Sequence, residues 1–399
     1  MTKIIPEYIK NHLVLDDLTS SLPLLRFIDE QKQVTQANAA TAIGLARGTC
    51  NLHFQKLEHM GLIRRAKSLQ PNGRGRSTIV WEAARDKNFF ILIIFIPPFF
   101  EGTLVDFSGK TVFYQKHDLT HTHNTENLLE KVQHFCNAAL VEAHKIGGIV
   151  RLGFISTPGL INPTTKTIIK SYNLPALNDI NFPNWFQDQY NLPCICESIG
   201  LPLYFGETLA IPEGTRTMVV LWGMGVGVIA GESPRIVSPA SRMFLSSFGD
   251  VRIQKDGREC QHAKKGSLEA HTGGFAIIEM LQDPGIQTLK DLTDAVLAGN
   301  ATAIQTTCSA ARTIGENLCM PLQMMKTQRL IIGGPLSILF PVVRDSFFEG
   351  LSTVFEKEEI SALNPTASQD YEQALQNGAY IYAHQQFLYP EPEIPVSSP

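Results

Sequence analysis

Twelve residues, Phe89 to Phe100 (FFILIIFIPPFF), constrain the fold of this chain more than any others. Eight apolar residues run without a break into Pro97-Pro98. The run is too short for a bilayer, whose hydrocarbon core needs about 20 apolar residues of helix. Prolines at its end can continue neither a helix nor a central ladder. The stretch therefore reads as a buried strand that stops at a proline-marked turn. A chain of 399 residues around such a strand exceeds one small core, so two or three domains are expected. Composition agrees with a soluble globular protein, at 44% hydrophobic and 18% charged residues. No N-terminal segment has the order of a signal peptide, and no membrane association is expected. Seven scattered cysteines, an odd number, argue against a disulfide framework and for a reducing cytoplasm.

Charge is unevenly distributed. Residues 45–86 hold eight basic side chains against three acidic ones, and since the whole chain carries −4, the remainder carries −9. A basic segment on an acidic body suggests a nucleic-acid-binding head joined to a domain of different purpose. The local pattern supports this. SLPLLRFIDEQKQ (21–33) reads as a helix capped by Ser21, with Leu24, Leu25 and Ile28 on one face. Thr35 can cap a short second helix that ends at Gly44. A third helix follows, its Phe54 and Leu57 facing inward, and stops at Gly61. Three short helices with a glycine turn before the third make a helix-turn-helix pattern. LIRRAKSLQPNGRGRSTIVWEA (62–83) then reads as two strands around a Pro-Asn-Gly turn, a wing. Arg47, Thr49 and Asn51 would meet base edges in a major groove, and Lys56 a phosphate. Arg74 and Arg76 on the wing suit a narrow minor groove. His53 could touch phosphate or pack beside Phe54. The alternative is a solvated basic domain used for protein contacts.

From residue 88 apolar strands alternate with helices. The strands at 89–96, 101–119 and 149–157 enclose the amphipathic helix 124–148, and a second cycle opens with TRTMVVLWGMGVGVIAGE (215–232). That cycle closes with a helix around 311–325 and the strand RLIIGGPLS (329–337). Two α/β units that each open with antiparallel strands imply a bilobed body with a cleft between the lobes.

Several stretches together resemble the ROK family, which groups transcriptional repressors with sugar kinases. They are GRGR in the wing, STPGLINPTTKTIIKSYNLP (156–175), LWGMGVGVIAGE (221–232), GSLEAHTGG (266–274) and LIIGGPLS (330–337). The resemblance covers about residues 20–385. It implies an α/β fold class: an N-terminal winged helix-turn-helix followed by a two-lobed, actin-like ATPase body of duplicated ribonuclease H type. The expected domains are an N-terminal extension (1–20), the winged helix-turn-helix (21–86), a first lobe (88–206) with helix 370–388 packed back on it, a second lobe for dimerisation (207–369) and a disordered tail (389–399).

The chemistry of a sugar kinase is altered at the positions that the resemblance assigns to it. The first phosphate loop, an Asp-Ile-Gly-Gly-Thr turn in the family, falls on Ile94, Phe95, Ile96, Pro97 and Pro98. The catalytic aspartate falls on Ile199, which cannot accept a proton. Gly223, Gly225 and Gly227 keep the second phosphate loop's glycines, but Met224 replaces its hydroxyl. The family's sugar-binding Glu and His fall on Ser247 and Asp250. A polar set of Asn173, Ser198, Ser247, Asp250 and Glu269 remains, able to hold a sugar, a sugar phosphate or another polar effector. The family's structural zinc would rest on Asp250, Cys260, His262 and Ser267. Serine is a poor zinc ligand, and Lys264 and Lys265 add adverse charge, so no cofactor is expected and zinc is a minor alternative confined to Asp250, Cys260 and His262.

The reading that follows is a cytoplasmic, dimeric or tetrameric regulator, a repressor of carbohydrate-related genes. Its partners would be a double-stranded DNA operator and a small effector, and it would not be an enzyme. The competing readings are a sugar kinase with Glu197 as a relocated base, and a ligand-independent regulator answering to a protein partner.

Overall fold

The computed structural model describes residues 18–66, 79–162, 164–232, 243–245 (backbone only), 248–260 and 263–390. The Pro-Asn-Gly turn with Arg74 and Arg76, Ser247, His262, the first 17 residues and the tail from 391 lie outside them.

Contacts divide the chain into two compact units: Met1–Ser171 with Pro175–Glu197 and Tyr382–Pro399, and Tyr172–Leu174 with Ser198–Ile381. The first unit begins with the head. Its helices are α1 (Leu22–Gln31), α2 (Gln36–Ala42) and α3 (Arg47–His59), and its strands are β1 (Val34–Thr35), β2 (Ile63–Arg65) and β3 (Val80–Ala83). The strands form one antiparallel sheet in the order β1-β3-β2. Leu24, Leu25 and Ile28 of α1 meet Phe54 and Leu57 of α3 in a core closed by Trp81, whose ring lies 5.1 Å from that of Phe54. Thr35 caps α2 by accepting from the Asn38 N–H. Gly61, at φ +68°, lets the chain leave α3 in the left-handed region that other residues rarely adopt. The expected cap at Ser21 is not made. Ser21 is fully buried at the end of a preceding 3₁₀ turn, and its hydroxyl bonds His53 Nδ1 at 2.9 Å. A hydroxyl inside this core is satisfied by the nearest imidazole rather than by the helix amides.

The first α/β sheet contains β4 (Asn88–Ile96), β5 (Phe99–Asp106), β6 (Thr111–Asp118), β7 (Ile149–Thr157) and, beyond the small β8–β9 hairpin (Leu160–Ile161, Ile168–Lys170), β10 (Cys194–Ser198). Helices α4 (Thr125–Lys145) and α5 (Phe182–Tyr190) belong to it. Its order is β10-β7-β4-β5-β6, with β4 antiparallel to β5 and parallel to β7. All nine residues of β4 are buried, as a strand covered on both faces must be. The edge strand β6 instead alternates exposed and half-buried residues.

The second unit repeats this plan. Its sheet runs β13-β12-β11-β14-β15, built from β11 (Arg216–Trp222), β12 (Val226–Glu232), β13 (Met243–Leu245), β14 (Arg329–Gly333) and β15 (Thr366–Ala367). The opening strands β11, β12 and β13 are antiparallel, whereas β14 and β15 join in parallel. Helix α6 (Gly200–Glu207) precedes this sheet. Short helices α7 (Leu268–Thr272), α8 (Gly274–Leu281) and α9 (Leu289–Leu297) and the long α10 (Ala301–Met324) follow β13. After β14 come α11 (Phe340–Leu351) and α12 (Lys357–Leu363). The last described helix is α13 (Tyr371–Leu388), whose residues from Tyr382 belong to the first unit. The same strand order in both units is the signature of a duplicated α/β module.

Candidate functional site

Helix α3 presents its candidate residues outward. Arg47, Thr49 and Asn51 are exposed, whereas Cys50, Phe54 and Leu57 on the opposite face are buried, as the 3.6-residue period requires. Asn51 is steadied across the glycine turn by Gln36, whose amide donates to Asn51 Oδ1 at 3.1 Å. The basic charge of the head is narrower than its composition suggests. Arg64 pairs with Glu82 and Asp86, Arg65 with Glu58, and Arg85 with Asp29. Arg47 makes no ion pair among the described residues, and Lys56 is half-buried on the same helix. Leu52, 65% exposed between Asn51 and His53, was missed in the sequence because a leucine on a helix reads as core.

The segment that the resemblance assigns to phosphate is a tight hairpin. Ile94 and Phe95 are fully buried, and Ile96 pairs directly with Phe99 across Pro97-Pro98. Two residues leave no loop of free amides to receive a phosphate. Ile199 stands at the N-cap of α6 with no carboxylate to offer. Glu197, two residues earlier, faces Lys166 at 4.0 Å.

In the second unit Glu269 lies against the turn between β11 and β12, with Asp250 nearby. Gly223 donates to the Gly225 carbonyl, closing the turn between β11 and β12. Glu269, on the first turn of α7, accepts from the Val226 N–H at 2.9 Å and donates its own N–H to the Gly249 carbonyl. A Cβ on Gly225 would lie 1.9 Å from Glu269 Oε1, so this glycine makes room for a carboxylate. Gly334, at φ +87°, equally lets its backbone pass close to the Trp222 carbonyl. These glycines serve close packing. Burial, then the nearby Asp250 carboxylate, push the Glu269 carboxyl up to about 7, against the Val226 N–H that favours its charged form. Asn173 and Ser198 belong to this unit and are half-buried.

Asp250, expected as a ligand-facing group and as an alternative metal donor, has a partner within the protein. Its Oδ2 receives the Lys264 ammonium at 2.6 Å. Of the other zinc positions, Cys260 and Ser267 are also engaged, and His262 lies outside the described residues. Cys260 Sγ lies 3.6 Å and 3.7 Å from the two carboxylate oxygens of Glu279, which Arg258 engages at 2.7 Å. Ser267 caps α7, accepting from the Ala270 N–H. Lys265 pairs with Glu259. Of the four positions, Asp250 is thus engaged by Lys264 and Ser267 by an α7 amide, and serine is in any case a poor zinc ligand. No group of three His, Cys, Asp or Glu suited to a metal occurs among the described residues.

Comparison with known proteins places these observations. A family model described as ROK family matches residues 99–386, beginning just after the Pro97-Pro98 turn. A crystal structure of a ROK family transcriptional regulator, a homologue of the E. coli MLC protein, is similar over 94% of this chain and 97% of its own. That match has 16% identity and a TM-score of 0.72. A ROK hexokinase from Thermus thermophilus is similar at 17% identity over 75% of this chain and 98% of its own, with a TM-score of 0.58. A ROK family glucokinase from Streptomyces griseus, in complex with glucose and AMPPNP, gives 17%, 74%, 99% and 0.57. No helix among the described residues is long and apolar enough to cross a membrane.

Proposed function

The chain belongs to the ROK family, and on that premise we propose that it is a DNA-binding transcription regulator, a repressor of carbohydrate-related genes, whose kinase-like body senses a small polar ligand without phosphorylating it. The observation that carries this reading is a contrast within one chain. A three-helix head presents Arg47, Thr49 and Asn51 outward, while both positions needed for phosphotransfer are isoleucines, Ile94 and Ile199. Base edges in a major groove are read by such side chains on one helix face, with Arg47 matched to guanine and Asn51 to adenine. Leu52 is suited to a thymine methyl beside them. Glu269, with Asn173 and Ser198 in the same unit, supplies hydrogen-bonding groups for hydroxyls of a sugar or sugar phosphate. A ligand that binds one conformation more tightly shifts DNA affinity by that difference.

Fluorescence anisotropy with DNA flanking the gene tests the reading. The expected result is salt-sensitive, sequence-selective binding, weakened by Arg47→Ala and relieved or strengthened by one compound of a sugar and sugar-phosphate panel. Sequence-independent binding that Arg47→Ala leaves untouched would refute it. The kinase alternative makes the opposite prediction, ATP-dependent phosphorylation of a hexose that Glu197→Gln abolishes.

A further inference from the structure

Helix α3 ends on a buried cation. Arg151, the third residue of β7, is 7% exposed. Its Nη2 donates to the carbonyl of Met60, the C-cap of α3, and its Nε donates to Asn88 Oδ1 at 2.6 Å. Asn88, the first residue of β4 and wholly buried, donates in turn to the carbonyls of Gly61 and Ala84, each at 2.8 Å. Two side chains from the neighbouring strands β4 and β7 thus hold three backbone carbonyls of the head.

The ladder is broken to allow this. Phe89 pairs with Val150 and Phe90 with Leu152, so Arg151 is the residue that the parallel register skips. A bulge of this kind re-aims one side chain at a cost in ladder bonds. Among the described residues no carboxylate pairs with Arg151, although burying an unpaired guanidinium is expensive. The compensating charge is the negative end of the α3 dipole, carried by the terminal carbonyls, of which Arg151 meets that of Met60. Burial pushes the guanidinium down to about 10, so it remains a cation at neutral pH.

From this geometry we propose that Arg151 is a positioning residue for α3, fixing the direction of the helix against the first five-stranded sheet so that a shift of β7 moves the helix with it. The functional consequence rests on the reading of α3 as the DNA-contacting element. The mechanical claim does not, and the experiment separates the two.

Full-length protein carrying Arg151→Met, Arg151→Lys or Asn88→Asp is compared with wild type by amide hydrogen exchange and by binding to the flanking DNA. In Arg151→Met, exchange in residues 57–62 rises at least tenfold while β5 (99–106) stays as protected as in wild type, and DNA affinity falls about tenfold. Arg151→Lys recovers part of both, because an ammonium still reaches one carbonyl. Asn88→Asp keeps the arginine but loses the amide donor, and loosens the same residues should Arg151→Met fail to fold. Unchanged exchange at 57–62 in a folded Arg151→Met protein overturns the proposal. So does an equal rise in β5, which would make Arg151 a general stabiliser. If the wild type binds no DNA, the regulatory reading fails, and the exchange data still decide the role of Arg151.

Discussion

Arg47 and Leu52 show how differently individual residues announce themselves. Arg47 is a candidate from charge and helix position alone, and the structure leaves it exposed and outside the ion pairs that absorb Arg64, Arg65 and Arg85. Truncating Arg47 is expected to cost about 1–3 kcal/mol of specific binding, and Leu52→Ala to relax preference at one base pair, both read from binding to single-base operator variants. Asp250 is the opposite case. The family resemblance suggests a ligand or a metal donor, but which cation lies within reach is set by the fold, and Lys264 takes it. Glu269 carries the clearest pH prediction. Its carboxyl titrates near 7 in the folded protein, above the usual glutamate value, so the native state holds a proton that the unfolded chain has lost. Stability therefore falls as pH rises from about 4.5 to 7 and changes no further from this source above that window. Glu269→Gln should flatten that slope in thermal melts at pH 5 and pH 8, since an amide oxygen can still accept from Val226.

At the scale of elements, periodicity carried most of the information. The helices of the head, the nine-residue strand β4 and the β11–turn–β12 unit follow from hydrophobic spacing and glycines. What glycines do in a turn is less legible, because a phosphate loop and a tight packing turn have the same sequence. The 1.9 Å approach of a would-be Cβ to Glu269 identifies Gly225 as a packing glycine. Gly225→Ala is expected to destabilise the second unit by about 1–3 kcal/mol, measured by urea unfolding, with Glu269→Ala relieving much of that cost. The head should behave as a conventional core. Phe54→Ala, removing a fully buried ring against Trp81, should cost about 3–5 kcal/mol and quench the tryptophan environment in step. Ser21 was misjudged because a helix-start serine and a buried serine look alike until the distant His53 is in place.

For the whole molecule, the expected behaviour follows from a net charge of −4 carried with a basic head. DNA association should weaken steeply with salt, with a log–log slope near −0.9 per phosphate contact. Metal analysis of purified protein is expected to find zinc well below one equivalent, and chelation to leave the melting temperature unchanged. The sequence by itself determined the element types, the duplication of the α/β module and the apolar side chains at Ile94 and Ile199. Those properties rest on side-chain type and local period, which need no knowledge of distant neighbours. Only the tertiary structure decided that Asp250 faces a lysine, that Glu269 is wedged behind Gly225, and that a bulge on β7 turns Arg151 onto the end of α3. Each of these joins residues far apart in the chain, where burial and charge are set by what the fold brings alongside.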